Sequence, residues 1–266
     1  MKVLDDVKSI LETRNVSLSF GGLKAVDNVS LRVGRSKIFG LIGPNGSGKT
    51  SLFNLITGIY KPTSGRIIFE GRDITGLQPH QVYRMGIVRS FQYPRVFFKM
   101  TLLDNLVFAA RGQLGDNPLV AVFMRRRFQR QEMQLVERAV EILEKVGLSE
   151  YADRYPNELS GGQLKLLELG RALMAEPKLL LLDEPAAGVS PILVSKIFET
   201  VTHFRDVAGL TVFIIEHRLD VVKEYTDWIY MMYRGRLYLS GTPAQVLSDR
   251  RLMSVYLAEE SIVDEA

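Results

Sequence analysis

Gly43-Pro44-Asn45-Gly46-Ser47-Gly48-Lys49-Thr50 reads G-x-x-x-x-G-K-[ST], and the way it is read decides the fold. The apolar run Ile38-Phe39-Gly40-Leu41-Ile42 precedes it and the helix-like Ser51-Leu52-Phe53-Asn54-Leu55-Ile56-Thr57 follows. Strand, Gly-rich loop and helix therefore stand in the order a phosphate loop requires. Three glycines let backbone N–H groups converge on a phosphate without side-chain obstruction, and the helix N-terminus behind them adds a favourable dipole. Lys49 then reaches the β- and γ-phosphates, and the Thr50 hydroxyl ligates Mg²⁺. At average composition the pattern arises by chance in about one chain in a hundred of this length. A Gly-rich turn that merely happens to precede a lysine is the poorer account.

Outside the loop, composition mainly excludes. The chain has 266 residues, 46% of them hydrophobic and 24% charged, enough for one large or two small globular domains with a sizeable core. With no Cys there is no disulfide, no thiol catalysis, no Cys-ligated zinc and no iron–sulfur cluster on this chain, which fits a reducing cytoplasm. Met1 to Ile10 lacks the apolar core of a signal peptide, and no apolar run approaches the ~18–20 residues of a membrane span. The 34 basic residues are balanced by 30 acidic ones, so bulk charge does not argue for nucleic acid. The local excess Arg125-Arg126-Arg127-Phe128-Gln129-Arg130 reads as a solvated face, with contact to lipid headgroups or an acidic partner as the alternative.

Upstream, Thr13 to Phe20, Val26 to Val33, Ile38 to Ile42 and Arg66 to Phe69 are short alternating or apolar runs separated by glycines, and read as strands, several of them antiparallel. Phe20 closes the first run before Gly21-Gly22. It is either a core aromatic or a platform on which an adenine ring stacks. Downstream, Gly86 to Met100 reads as irregular and holds Gln92, whose amide could approach a nucleotide's metal or attacking water; a surface-loop glutamine is the plain alternative. Thr101 caps a helix through Ala110, Arg111 to Phe128 reads as a looped insertion, and Glu132 to Val146 has helical spacing with Gly147 as its stop. A further helix spans Gly161 to Ala175, so that a mostly helical segment, residues 101–175, interrupts the nucleotide-binding core.

After that segment comes Leu179-Leu180-Leu181-Leu182-Asp183-Glu184, a strand buried on both faces with two carboxylates at its C-terminal end, where open α/β sheets bind ligands. Capping or plain surface charge would explain such a pair were there no phosphate loop upstream. With one, Asp183 suits Mg²⁺ and Glu184 suits polarising a water for in-line attack on the γ-phosphate. Ser190-Pro191 opens another helix as N-cap and N1. Leu210 to Ile215 is the next buried strand, and His217 lies at its C-terminal end beside the expected γ-phosphate; His80 and His203, in predicted loop and helix, have no such context. Trp228 to Tyr233 and Arg236 to Ser240 form a hairpin across Arg234-Gly235, and Thr242-Pro243 begins a helical tail to Glu260.

Leu159-Ser160-Gly161-Gly162-Gln163 is the second signature. Ser160 is an ordinary N-cap, but two glycines in a first helical turn are costly unless their bare N–H groups, with the serine hydroxyl, form a second anion site. One phosphate loop and one such site on the same chain suggest that two copies complete each other's nucleotide sites.

With these motifs in order, the sequence resembles the ATP-binding subunits of ABC transporters over residues 11–260. The fold this implies is α/β, a P-loop NTPase core (11–100 and 176–240) with an antiparallel β subdomain and an inserted α-helical subdomain (101–175). A ten-residue N-terminal extension and a C-terminal helical tail (241–260) complete a single ABC ATPase domain. The resemblance makes Gly43, Pro44, Asn45, Gly46, Ser47, Gly48, Lys49, Thr50 and Ser51 the Walker A contacts to ATP and Phe20 the adenine-stacking aromatic. It makes Ser160, Gly161, Gly162 and Gln163 the signature, and Thr50, Gln92 and Asp183 the Mg²⁺ contacts. Glu184, His217 and Gln92 then carry catalysis. It implies a head-to-tail dimer with a second ATPase subunit, the same or different, that drives two transmembrane permease subunits and, through them, an external substrate-binding protein. The chain would then sit peripherally on the cytoplasmic face of the membrane, with no nucleic-acid partner. Phe20-Gly21-Gly22-Leu23-Lys24-Ala25-Val26, Glu184-Pro185-Ala186-Ala187-Gly188 and Ile214-Ile215-Glu216-His217, with the tail from Gly241 to Leu257, resemble the branched-chain amino acid importers in particular. Urea, polar amino acid and lipopolysaccharide systems share much of this, and a soluble iron–sulfur assembly ATPase is the second reading. Where many ABC ATPases carry Asp, this chain has Ser190.

Overall fold

The computed structural model describes residues 9–90, 96–116 and 125–263. The chain divides into two compact units: Met1–Arg89 with Lys178–Ala186 and His203–Ala266, and Ser90–Pro177 with Ala187–Thr202.

The first unit holds two sheets. β1 (Ser9–Phe20), β2 (Leu23–Gly34), β4 (Ser64–Phe69) and β5 (Arg72–Asp73) form an antiparallel sheet in the order β2-β1-β4-β5. Val16, Leu18, Val26, Val29, Leu31 and Ile67 are buried along it, with polar or charged residues such as Ser17, Asn28, Ser30 and Arg66 between them, the pattern of a sheet with one wet face. The second sheet has the order β10-β9-β3-β8-β7-β6. β3 (Ile38–Ile42), β6 (Ile87–Arg89), β7 (Leu179–Asp183), β8 (Thr211–Ile215) and β9 (Trp228–Tyr233) run parallel, and β10 (Arg236–Gly241) returns antiparallel. β3, β7 and β8 are buried at every residue, which is why their sequences read as continuous apolar runs rather than alternations. The β9–β10 turn has positive φ at both central residues, Arg234 (47°) and Gly235 (78°), the conformation a two-residue hairpin demands.

Three helices of this unit flank the phosphate loop or the sheet: α1 (Lys49–Ile56), α2 (Pro79–Met85) and, late in the chain, α7 (Leu219–Tyr225). α8 (Pro243–Leu247) and α9 (Arg250–Val263) form the tail, with Val246, Leu252 and Val255 packed on Ile229 and Met231 of β9.

The second unit is helical: α3 (Leu102–Ala109), α4 (Arg125–Lys145) and α5 (Gly161–Met174), with α6 (Pro191–Ala208) running from it into the first unit. Thr101 caps α3 by accepting from Asp104 N at 3.1 Å. Fully buried Asn105 then ties the preceding segment to α3, accepting from Phe97 N and donating to the carbonyls of Phe97 and Thr101, each at 2.9 Å. Gly170 lets α5 close on its neighbours, since a Cβ there would sit 3.3 Å from Ile142 and 3.6 Å from Leu106.

The structure corrects the sequence reading in three places. The stretch expected to be irregular over Gly86 to Met100 opens with β6, and His80, expected in a loop, lies in α2. Both elements are too short to show a period. Of the looped insertion expected over Arg111 to Phe128, residues 111–116 hold irregular backbone and one 3₁₀ turn, Leu114–Asp116, and residues 117–124 lie outside the described residues. α4 begins at Arg125, not Glu132, because arginine and glutamine are good helix formers whether or not an apolar face is present.

Candidate functional site

β3, β8 and β7 are adjacent in the sheet, and their C-terminal ends deliver, side by side, the Gly-rich loop, His217 and the Asp183-Glu184 pair. Main-chain bonds continue the register past the strands: Glu184 N donates to Ile215 O at 2.9 Å and Glu216 N to Leu41 O at 3.4 Å.

The loop is locked by the backbone around it. Gly43 (φ 142°) and Gly48 (φ 100°) adopt conformations side chains rarely reach. A Cβ at Gly43 would meet Met232 O at 2.1 Å, and one at Gly48 would meet Ala25 O at 2.3 Å. Gly46 (φ 72°) has nothing within 4 Å of such an atom, so it lies on the open side of the loop. Gly235 N donates to Ser47 O at 3.0 Å, pinning the loop to the β9–β10 turn. α1 begins at Lys49 with Gly48 as N-cap and no side-chain cap, so its first N–H groups are available to an anion. Lys49 is buried (5% exposed), and its ammonium donates to the carbonyls of Gly43 at 2.7 Å and Pro44 at 2.8 Å, which fixes the charge at the centre of the loop.

Asp183 is buried (8% exposed) and its Oδ2 accepts from Arg89 Nη2 at 2.5 Å. Arg89 Nη1 donates to Asn54 Oδ1 on α1 at 2.6 Å, and the guanidinium lies 5.6 Å from the Phe53 ring centroid. One arginine thus ties β7 to α1, the helix that follows the phosphate loop. Removing one partner of such a buried pair strands the other charge, at a cost of about 3–5 kcal/mol. The donor set fits Mg²⁺, because Thr50 and Asp183 offer hard oxygens. No group of three or more His, Cys, Asp or Glu among the described residues could hold a metal.

Glu184 follows at φ 51°, a strained conformation for a non-glycine residue. Its Oε1 is 3.0 Å from His217 Nε2, so the two residues singled out on separate strands meet. Both are partly exposed and can face a substrate. Glu216, between β8 and His217, is buried at 2% exposure; burial pushes its carboxyl up, and hydrogen bonds from the backbone N–H groups of Ala186, Arg218 and His217 pull it back.

Phe20 is 47% exposed and makes an edge contact with Tyr60, ring centroids 5.3 Å apart, so one face of its ring is open to stack on a base. Ser160 to Gln163 belong to the second unit. There Ser160 Oγ accepts from Gln163 N at 3.3 Å and Gln163 Oε1 from Ser160 N at 2.9 Å, a capping box at the start of α5. A Cβ on Gly162 would meet Leu193 Cδ1 at 2.2 Å, whereas Gly161 has nothing within 4 Å. Gly162 therefore serves packing and Gly161 leaves an open approach to the helix start. Ser190 accepts from Val194 N through its carbonyl at 3.0 Å, at the head of α6. Gln92 lies outside the described residues. Arg126, Arg127 and Arg130 of the basic run are exposed on α4, which suits a solvated face and a contact with lipid headgroups or an acidic partner alike.

Arg89, Asn54 and Glu216 escaped the sequence reading. The available signals were a lone arginine closing the apolar Ile87-Val88 and a glutamate directly continuing an apolar strand.

The ABC transporter family model matches residues 26–187. The chain is 43% identical over 258 residues to a probable branched-chain amino acid transport ATP-binding protein of Methanocaldococcus jannaschii, covering 96% of this chain and 99% of that one. It is 38% identical to the high-affinity branched-chain amino acid transport ATP-binding protein BraF of Pseudomonas aeruginosa, over 95% of this chain and 99% of that one. Among solved structures, the ADP conformation of an ATP-binding cassette of an ABC transporter superposes with a TM-score of 0.80 at 42% identity, covering 94% of this chain and 99% of that one.

Proposed function

The chain belongs to the ABC transporter family, and on that premise we propose that it is the ATP-hydrolysing subunit of an importer of branched-chain amino acids. The observation that carries hydrolysis is the 3.0 Å contact of Glu184 with His217 at two adjacent strand ends, next to the strand that delivers the phosphate loop. In this reading the loop and Lys49 hold the β- and γ-phosphates, and Thr50 and Asp183 would hold Mg²⁺, which would supply neutralisation of phosphate charge. Glu184 orients and deprotonates the attacking water, and His217 positions Glu184 and the γ-phosphate. Phe20 stacks on adenine. Ser160 and Gly161 at the start of α5 contact the γ-phosphate of a nucleotide bound to a second ATPase subunit, so that two ATP are enclosed by a head-to-tail dimer. Full-length similarity to branched-chain amino acid transport ATP-binding proteins supports the cargo. No helix among the described residues is long and apolar enough to cross a membrane. In the proposed importer, permease subunits carry the cargo and this chain sits peripherally on them, at the cytoplasmic face.

The test is purification from membranes, identification of the subunits that accompany the chain, and uptake of leucine, isoleucine and valine into vesicles reconstituted with them. ATP-dependent uptake of these three is expected. A soluble complex with no membrane protein would contradict the reading, and uptake of urea or polar amino acids instead would contradict the cargo.

A further inference from the structure

Glu184 N donates to Ile215 O at 2.9 Å, which joins the ends of β7 and β8. The loops that follow, one carrying Glu184 on to Ala186 and one carrying His217, need a further tie, because a 3.0 Å contact between partly exposed side chains cannot by itself fix two backbones. Between them is the buried carboxylate of Glu216. Glu216 Oε1 accepts from the backbone N–H of Ala186 at 2.7 Å. Its Oε2 accepts from those of His217 at 3.1 Å and Arg218 at 3.3 Å. One oxygen therefore holds the loop of Glu184 and the other holds the loop of His217.

We propose that Glu216 is the positioning residue of the Glu184–His217 pair, a buried clamp that joins the two loops through their main chains; the proposal rests on the reading of Glu184 as the base. The chemistry selects a carboxylate for this place. An ionised carboxylate is an acceptor on both oxygens, and here both are used by N–H donors. An amide has one acceptor oxygen, and its NH₂ turned toward a backbone N–H sets donor against donor. Glutamine, the usual conservative exchange, releases one loop whichever way its amide is turned. The strained φ of 51° at Glu184 gives that release a direction, since backbone held off its preferred conformation relaxes once its restraint is cut. The clamp touches no residue of the phosphate loop among its hydrogen-bond partners, so nucleotide affinity should survive its loss.

The experiment compares the full chain with Glu216→Gln and Glu216→Asp in steady-state ATP hydrolysis and in binding of a non-hydrolysable ATP analogue. For Glu216→Gln, kcat should fall about 100-fold, the loss typical of an ångström-scale misplacement of a reacting group. KM for ATP and analogue affinity should stay within about twofold of the parent, the split expected when only the chemical step is impaired. Glu216→Asp keeps the charge and both acceptors but shortens the reach. It should show the same split with a smaller loss, and it serves if the Gln variant does not fold. Combined with His217→Ala, Glu216→Gln should cost less than its own separate loss, because both act on one pair; a merely structural residue gives losses that multiply. Parental kcat in whichever variant folds, a loss confined to KM, or multiplicative losses would each overturn the proposal. Glu184→Gln run alongside separates the two levels. Parental turnover in that variant removes the base on which the proposal rests, whereas an inactive Glu184→Gln beside a fully active Glu216→Gln removes the clamp alone.

Discussion

Single residues in this site do work that depends on where their backbone stands. Lys49 is the clearest case, because its ammonium is held at the centre of the loop by two of the loop's own carbonyls. Lys49→Ala should weaken ATP binding by at least about 10-fold, the equivalent of one lost hydrogen bond to a charged group. A titration with a fluorescent ATP analogue measures this, and unchanged affinity would remove Lys49 from the site. Lys49, Thr50, Asp183, Glu184 and His217 were legible in the sequence because each follows a recognisable strand or loop. Arg89 and Glu216 were not. Their meaning lies in partners 94 and 30 positions away, Asp183 and the Ala186 N–H, and no local spacing announces such a pairing. Gly162 was read as part of an anion site, and the structure gives it contact with Leu193 as well.

At the scale of elements, those long enough to show a period were legible. β3, β7 and β8 declared themselves as unbroken apolar runs, α5 by its capped start, and the β9–β10 hairpin by Arg234-Gly235. β6, with three residues, and α2 and α7, with seven each, did not, because tertiary partners and not their own patterns hold them in place. β6 forms by pairing with Leu179, Leu180 and Leu181, which arrive only after the whole helical unit. The phosphate loop yields a prediction of its own, since its three glycines are not equivalent. Gly46→Ala introduces a Cβ into open space and should cost about 1–2 kcal/mol of stability, the penalty of a left-handed conformation. Gly43→Ala drives the same atom to 2.1 Å from Met232 O and should cost clearly more, enough to separate the loop from β9. Urea denaturation of both variants checks the order. A Gly43→Ala midpoint equal to that of Gly46→Ala would contradict the packing described.

The whole molecule divides the nucleotide chemistry between its units. The first carries the phosphate loop, the carboxylates, His217 and Phe20; the second carries the capped glycine start of α5. The Glu184–His217 contact and the phosphate loop belong to one unit and the glycine start of α5 to the other, and the proposal that a second ATPase subunit closes the site reads that glycine start as an anion site. The central claim is that Glu184 turns a bound ATP over. The most direct measurement is ATP hydrolysis by Glu184→Gln with Mg²⁺ present, with bound nucleotide quantified in the same sample. The account predicts ATP bound as in the parent chain and turnover lowered about 100- to 10,000-fold, the range a general base supplies. Turnover at the parental rate with ATP bound would contradict it.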